Sequence, residues 1–188
     1  MSLNKNYFLD NEQEFIQRLK SPSTKELAFK ELLSLYKERL YWHIRHMVKS
    51  HDDADDVLQN TYIKVYKNIH NFKGNSKLFS WMYRIATNES ITHINKNAKR
   101  LRFSDEDTQQ HMVNSLKADV YFEGDEIQLK LQQAIATLPD KQQLVFNMKY
   151  FQDITYKDMS EILDTSEGAL KSSYHIAVKK IETYLTQD

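Results

Sequence analysis

The sequence predicts an all-α protein of two small helical domains, an N-terminal helical bundle and a C-terminal helix-turn-helix, joined by a flexible acidic linker. Only 3 glycines and 2 prolines occur in 188 residues, so the chain has few places to turn sharply, which favours helices. Apolar residues recur at intervals of three and four through most of the chain, the period of a helix that buries one face. The charge also changes character near residue 103. Residues 1–103 carry 18 Lys and Arg against 11 Asp and Glu, whereas 104–188 carry 8 against 15, so a basic half precedes an acidic one. These shifts set the predicted boundaries at 1–103 for the first domain, 104–126 for the linker and 127–188 for the second domain.

The elements follow in order. Phe15, Ile16 and Leu19 predict a short helix that stops before Ser21-Pro22-Ser23. From Thr24 a long helix follows, with Phe29, Leu33, Tyr36, Leu40, Ile44 and Met47 on one apolar face. His43 and His46 lie one turn apart on it, but no acidic or cysteine companion shares their spacing, so they are read as core or surface histidines. Asp52 and Asp53 open the next helix, where acids suit the positive end of the helix dipole, and its apolar positions are Ala54, Val57, Leu58, Thr61, Val65 and Ile69. Asn71 to Ser76, around Gly74, is a predicted loop, and a helix resumes from about Lys77 to Lys99.

Composition narrows the class of function. The chain lacks cysteine, so it has no disulfide framework and fits a reducing cytoplasm. Its start has no long apolar run behind a basic end, and nowhere do eighteen apolar residues follow one another, so neither a signal peptide nor a membrane span is expected. No metal or cofactor is expected. The net charge is zero, yet Lys73 to Arg102 holds 7 cations and only Glu89 against them, the electrostatic footprint expected of a nucleic-acid surface. Phe72, Phe79, Trp81 and Tyr83 are interleaved with Lys73, Lys77 and Arg84. Rings on which bases stack, among cations that neutralise phosphates, suit unpaired nucleic acid, although aromatic residues on helices are more often core.

The stretch from Asp52 to Arg102 closely resembles region 2 of bacterial sigma factors, above all the small extracytoplasmic-function group. The resemblance implies that the acid-led helix DDADDVLQNTYIKVYKNI binds the clamp of core RNA polymerase, with Asp55, Asp56, Gln59 and Asn60 on the docking side. It further implies that NFKGNSKLFSWMYRIATN captures and melts the upstream part of the promoter's melted element. Asn88, which closes WMYRIATN, takes the position that holds an extruded base. Phe72, Lys73, Ser80, Trp81 and Arg84 are candidates for the same −10 surface. An Asn amide both donates and accepts, which matches a base edge and helps to offset the few kcal/mol of flipping.

Beyond Arg102 the residues Ser104 to Glu126 include 7 acids and 1 lysine and show no sustained period, the pattern of a flexible acidic linker. The helical period returns with Leu131, Ile135 and Leu138, and Pro139 restarts a helix carrying Leu144, Met148 and Phe151. Next, Met159, Ile162 and Leu163 line a short helix, and Thr165 or Ser166 caps another. At 100° per residue, Leu170, Tyr174, Ala177, Val178, Ile181 and Leu185 share the core face of that last helix. Gly168, Ala169, Lys171, Ser172, His175, Ile176 and Lys179 lie outward, where a helix-turn-helix meets the major groove.

This part resembles region 4 of the same family, from LPxxQ to the SEGxxKS motif, which reads the −35 element. Relatives commonly carry arginines where this chain has Ser173 and Ile176, so guanine readout and phosphate charge are reduced and the isolated domain should bind weakly. An outward Ile176 either meets thymine methyls or is an ordinary exposed residue. The resemblance implies a non-enzymatic promoter-specificity subunit whose partners are the clamp and flap of core RNA polymerase, promoter DNA and an anti-sigma factor. Two other readings compete. One is a polymerase-independent helix-turn-helix regulator, which leaves the aromatic and basic stretch unexplained. The other is an isoprenoid synthase, in which Asp52, Asp53, Asp55 and Asp56 would bind Mg²⁺-diphosphate; the chain is short for that and has no second acidic motif.

A linker that mimics nucleic-acid charge would shield the basic surface in the free chain. Deleting Ser104–Glu126 is then expected to raise the free chain's affinity for DNA in a mobility-shift titration, and unchanged affinity would dismiss the shielding.

Overall fold

The computed structural model describes residues 11–101 and 126–186, all-helical apart from short connections. The predicted linker, save its last residue Glu126, lies outside them. Helix α1 spans Glu12–Lys20, α2 Lys25–Val48, α3 His51–Asn68 and α4 Leu78–Leu101, with a 3₁₀ turn at Ile69–Asn71. Helices α5 (Glu126–Ala136), α6 (Asp140–Tyr150), α7 (Tyr156–Leu163) and α8 (Glu167–Leu185) form the C-terminal half.

Each boundary has a local cause. Asn11 accepts the Glu14 amide to start α1, and Ser50 accepts the Asp53 amide to start α3. Lys49, in the left-handed region at φ 62°, turns the chain out of α2. At the helix-turn-helix, Thr155 accepts the Asp158 amide while its own hydroxyl donates to the Asp158 carboxylate at 2.7 Å, a reciprocal cap on α7. Asp164 takes the left-handed conformation after α7, and Ser166 caps α8 by accepting the Ala169 amide. Glu12 reaches across to accept the amide of Leu78, so α1 caps the start of α4. Lys20 donates to the Phe72 carbonyl at 2.6 Å and pins the loop before it.

The α3 face is as predicted: Ala54, Val57, Leu58, Thr61, Val65 and Ile69 are all buried. On α2 the buried stripe runs through Ala28, Leu32, Tyr36, Leu40, His43 and Ile44, which moves the expected Phe29, Leu33 and Met47 to its half-buried flank. The cause is that α2 packs on α3 and α4 together, so its covered face is set by the groove between them. On α8, Leu170, Ala177 and Ile181 are buried, but Leu185 is on the last turn and is exposed. A satellite core of Ala134, Ile135, Leu138, Phe146, Ala177 and Ile181 ties α5, α6 and α8 together.

The two halves are not separate in this structure. Val145, Met148, Ile154, Met159, Ile162 and Leu170 are continuous with the core of α1 to α4. The seam runs along α4 against α7 and along α2 against α6.

His43 is wholly buried near that seam. Its Nε2 shares a 2.9 Å hydrogen bond with the Thr87 hydroxyl, and its ring lies 4.7 Å from that of Tyr83. Burial first, and the nearby His46 second, push its pKa down to about 3 from the usual 6.5. The fold therefore holds the neutral ring, and an unfolded chain takes up the proton first. Its contribution is complete above pH 6.5 and is lost as pH falls toward 3, at about 1.4 kcal/mol per unit. Urea midpoints should accordingly fall between pH 6.5 and 5, a range above most carboxylate titrations. A His43→Leu chain should retain only the part that His46 supplies, and equal slopes in the two chains would refute this account.

Candidate nucleic-acid interface

The outer face of α4 is the first of three exposed tracts. At 100° per residue Lys77, Ser80, Trp81, Arg84 and Asn88 fall within one stripe, opposite the buried Leu78, Met82 and Ala86. Asn88 is exposed, and among the described residues no hydrogen bond engages its side-chain amide; only its carbonyl is used, by Thr92. Lys73 is exposed in the loop beside it.

Two members of the predicted −10 surface are placed otherwise. Phe72 is only 4% exposed, its ring 5.1 Å from Trp81, so it supports Trp81 from beneath and offers no face to a base in this conformation. Ser80 is 1% exposed, with its hydroxyl buried and without a hydrogen-bond partner. Both lie where the α4 stripe meets other parts of the chain, which is why a surface reading of the sequence misplaces them. Trp81 is half-buried, part packing and part surface.

Arg84 and Lys77 are engaged by the other half of the molecule. The Arg84 guanidinium donates from Nε at 2.8 Å, and also from Nη2, to the Glu161 carbonyl in the last turn of α7, where the helix dipole is negative. Lys77 Nζ lies 2.9 Å from Oδ1 of Asp158, a carboxylate with 4% of its side chain exposed. Farther along the seam, Arg39 donates to the Gln152 carbonyl at 3.1 Å, and the His46 ring stacks on Phe151 at 5.4 Å and 11°. Burial lowers the pKa of His46, which favours the neutral ring in that stack.

The second tract is the outer side of α3. Asp55, Asp56, Gln59 and Asn60 are all exposed, and Asp55 lies 3.6 Å from His51. Ile63, one turn beyond Gln59, is 44% exposed and extends the tract with an apolar residue. Sequence reading passed over Ile63, although its spacing of four from Gln59 was visible. Asp53, at the edge of this side, is engaged within the chain: its Oδ1 lies 2.9 Å from His93 Nε2 and ties the start of α3 to α4.

The third tract is α8. Gly168, Ala169, Lys171, Ser172, His175, Ile176 and Lys179 are all exposed on one side of a helix whose other side is core. Ile176 is 45% exposed, and Ser173 is half-buried. Lys171 lies 3.8 Å from Glu167 one turn back, a weak surface pair that a phosphate would displace readily. No group of three or more His, Cys, Asp or Glu able to hold a metal occurs among the described residues.

Comparison with known proteins gives two family matches in chain order: the sigma-70 region 2 model over residues 32–100 and a sigma-70 region 4 model over residues 128–181. The chain is 31% identical over 156 residues to the ECF RNA polymerase sigma factor SigW of Bacillus subtilis, covering 79% of this chain and 83% of that one. It is 26% identical over 184 residues to the RNA polymerase sigma-H factor of Pseudomonas aeruginosa, covering 94% of each. Its fold is similar to that of the sigma factor RpoE of Bartonella quintana, crystallised with the anti-sigma factor NepR, with a TM-score of 0.67, 21% identity, and coverage of 85% of this chain and 98% of that one.

Gly168 tests how closely α8 approaches a ligand. A Cβ built there meets no atom of the chain within 4 Å. Gly168→Ala should therefore stabilise α8 by about 0.5–1 kcal/mol, seen as a rise of about 1–4 °C in melting temperature. If DNA backbone packs on this turn, the same variant should bind promoter duplex more weakly; tighter melting with unchanged binding would place the DNA elsewhere on the helix.

Proposed function

The chain belongs to the extracytoplasmic-function sigma factors of bacterial RNA polymerase, and from that membership we propose how its exposed tracts divide the work of initiation. As a sigma factor it acts with core RNA polymerase and promoter DNA in transcription initiation, and anti-sigma factors are its expected regulators.

Helix α3 is the polymerase contact. Its acids Asp55 and Asp56, with Gln59 and Asn60, form a rigid polar surface held from behind by Val57, Leu58 and Thr61, suited to a basic surface of the clamp. The outer face of α4 captures the melted strand. Lys73, Lys77 and Arg84 supply charge to phosphates, Trp81 supplies a ring edge backed by Phe72, and Asn88 holds a flipped base through its free amide. Helix α8 enters the major groove of the upstream element with Lys171, Ser172, His175, Ile176 and Lys179 toward the DNA, while the polymerase flap supports the domain from outside.

With few cations on α8, most of the specificity energy must come from both elements engaged together on polymerase. Tethered sites gain through effective concentration what each lacks alone. Catalysis stays with the polymerase, and the chain lends recognition and strand opening before it is released. No helix among the described residues is long and apolar enough to cross a membrane, and a partnership with polymerase supports a cytoplasmic reading.

The observation that carries this reading is the exposed, unengaged Asn88 amide on the same stripe as two cations. Run-off transcription from a promoter library with cognate core polymerase should require the chain. Asn88→Ala should reduce initiation about tenfold, near the 1.4 kcal/mol of one lost hydrogen-bonded contact. Initiation that is indifferent to Asn88→Ala would remove the strand-capturing role from α4.

A further inference from the structure

Helix α1 holds both ends of the loop that leads into the proposed strand-capturing face. At one end Lys20 Nζ donates to the Phe72 carbonyl at 2.6 Å, and at the other Glu12 Oε1 accepts the Leu78 amide at 3.1 Å. Between them Lys73, Gly74 and Asn75 are exposed, Gly74 turns the chain at φ 76°, and a Cβ built on it meets no atom within 4 Å. Among the described residues, no hydrogen bond engages Lys73, Asn75 or Ser76. The loop is fastened at its ends by α1 and open between them. We propose that Lys20 and Glu12 are positioning residues for promoter recognition: α1 sets the place of Lys73 and Trp81 against the melted strand without itself touching DNA. The inference rests on α4 and the loop before it being the strand-capturing surface.

The connection to Trp81 runs through Phe72. That residue is fixed in three ways: its amide donates to the Ile69 carbonyl at 3.2 Å, its carbonyl accepts from Lys20, and its ring lies 5.1 Å from the Trp81 ring. A shift of the Phe72 backbone moves the support on which Trp81 rests, and moves Lys73, the next residue, with it. The Lys20 contact is an ammonium on a carbonyl, a charge-assisted bond stronger than a neutral one. Glu12 acts at the other end of the loop. Its carboxylate takes one of the amides that a helix start leaves unpaired, at the positive end of the α4 dipole, and so fixes where the first turn of α4 begins. Lys77 and Trp81, on either side of that turn, inherit its orientation.

Helix α1 can bear this role because it is itself anchored. Phe15 and Leu19 are buried in the core, the Arg18 guanidinium pairs with Glu31 of α2 at 2.7 Å, and the Thr24 hydroxyl donates to the Arg18 carbonyl at 2.8 Å. Glu12 and Lys20 are both half-buried, which partly shelters their bonds to the loop from water. The region 2 match begins at residue 32, after α1 has ended, so membership of the family does not by itself account for either residue.

Trp81 reports the position of the loop once Trp42, the other tryptophan, is replaced. In a Trp42→Phe chain, Lys20→Met should raise the acrylamide quenching of Trp81 toward that of free tryptophan, and Lys20→Arg, which still donates to the carbonyl, should restore it. The second arm uses cognate core polymerase with saturating chain. It compares initiation from the promoter that the library selects with initiation from the same promoter altered at one base of its melted element. Lys20→Met and Glu12→Ala should each narrow that ratio about tenfold, within the range that displacement of a positioned contact costs. Lys20→Arg and Glu12→Gln keep the donor and the acceptor and should hold the ratio. A loss of folded chain would lower initiation from both promoters alike and leave the ratio unchanged. An unchanged ratio in Lys20→Met and Glu12→Ala, failure of the Arg and Gln chains to hold it, or Trp81 quenching indifferent to Lys20→Met would each overturn the positioning role. If Asn88→Ala still lowers initiation in that case, the strand-capturing face stands without α1; if Asn88→Ala is also without effect, the face itself fails.

Discussion

Helix α4 has two faces with incompatible needs, and the rest of the molecule is arranged around that conflict. Leu78, Met82 and Ala86 are wholly buried against α2 and α3, which fixes the helix in place. That leaves Arg84 and Asn88 exposed on the other side, with the half-buried Lys77 and Trp81 beside them and the Trp81 ring packed on Phe72. Long cationic side chains beside a tryptophan are costly to leave idle only if a better acceptor is near, and α7 provides one. The Asp158 carboxylate is buried because it faces Lys77 and Thr155 together, and the α7 C-terminus points its carbonyl at Arg84. One helix thus both completes the helix-turn-helix and engages the surface of the N-terminal half.

The strength of that closure follows from opposing terms. Burial of Met159, Ile162 and Val145 against the N-terminal core favours it, at about 25 cal/mol for each Å² of apolar surface removed from water. A buried polar atom left without a partner opposes it by about 1–3 kcal/mol, and Glu161 Oε2 is one such atom. The charged contacts add less than their number suggests, because Lys77 is 40% exposed and its pair is partly screened.

Much of the architecture was legible in the sequence because it rests on local periods. The six α3 positions read from spacing are the six that are buried near it, and Ser166 caps α8 as its hydroxyl before an acid-led helix suggests. The exposed residues of α8 were likewise fixed by angle alone. What escaped is the part that depends on residues far apart in the chain. Lys77 and Asp158 are 81 positions apart and Arg84 and Glu161 77, and no local pattern relates them. Phe72 and Ser80 were read as surface because their neighbours are cations, whereas both are buried, Phe72 in a loop that Lys20 pins from α1. The shift of the α2 stripe has the same origin: a helix that packs on two others at once does not bury the face its own spacing favours.

The region 2 and region 4 matches establish what the halves are, and the seam adds what they do to each other when no polymerase separates them. A promoter-specificity subunit that captured single strands while free would be drawn to any melted DNA or structured RNA, since cation–phosphate binding carries no sequence information. Covering Lys77 and Arg84 with the chain's own carboxylate and carbonyl removes that attraction at its source. Under the proposed division of work, docking by α3 and strand capture by α4 lie on different exposed sides of one small bundle, so polymerase and promoter can be engaged at once.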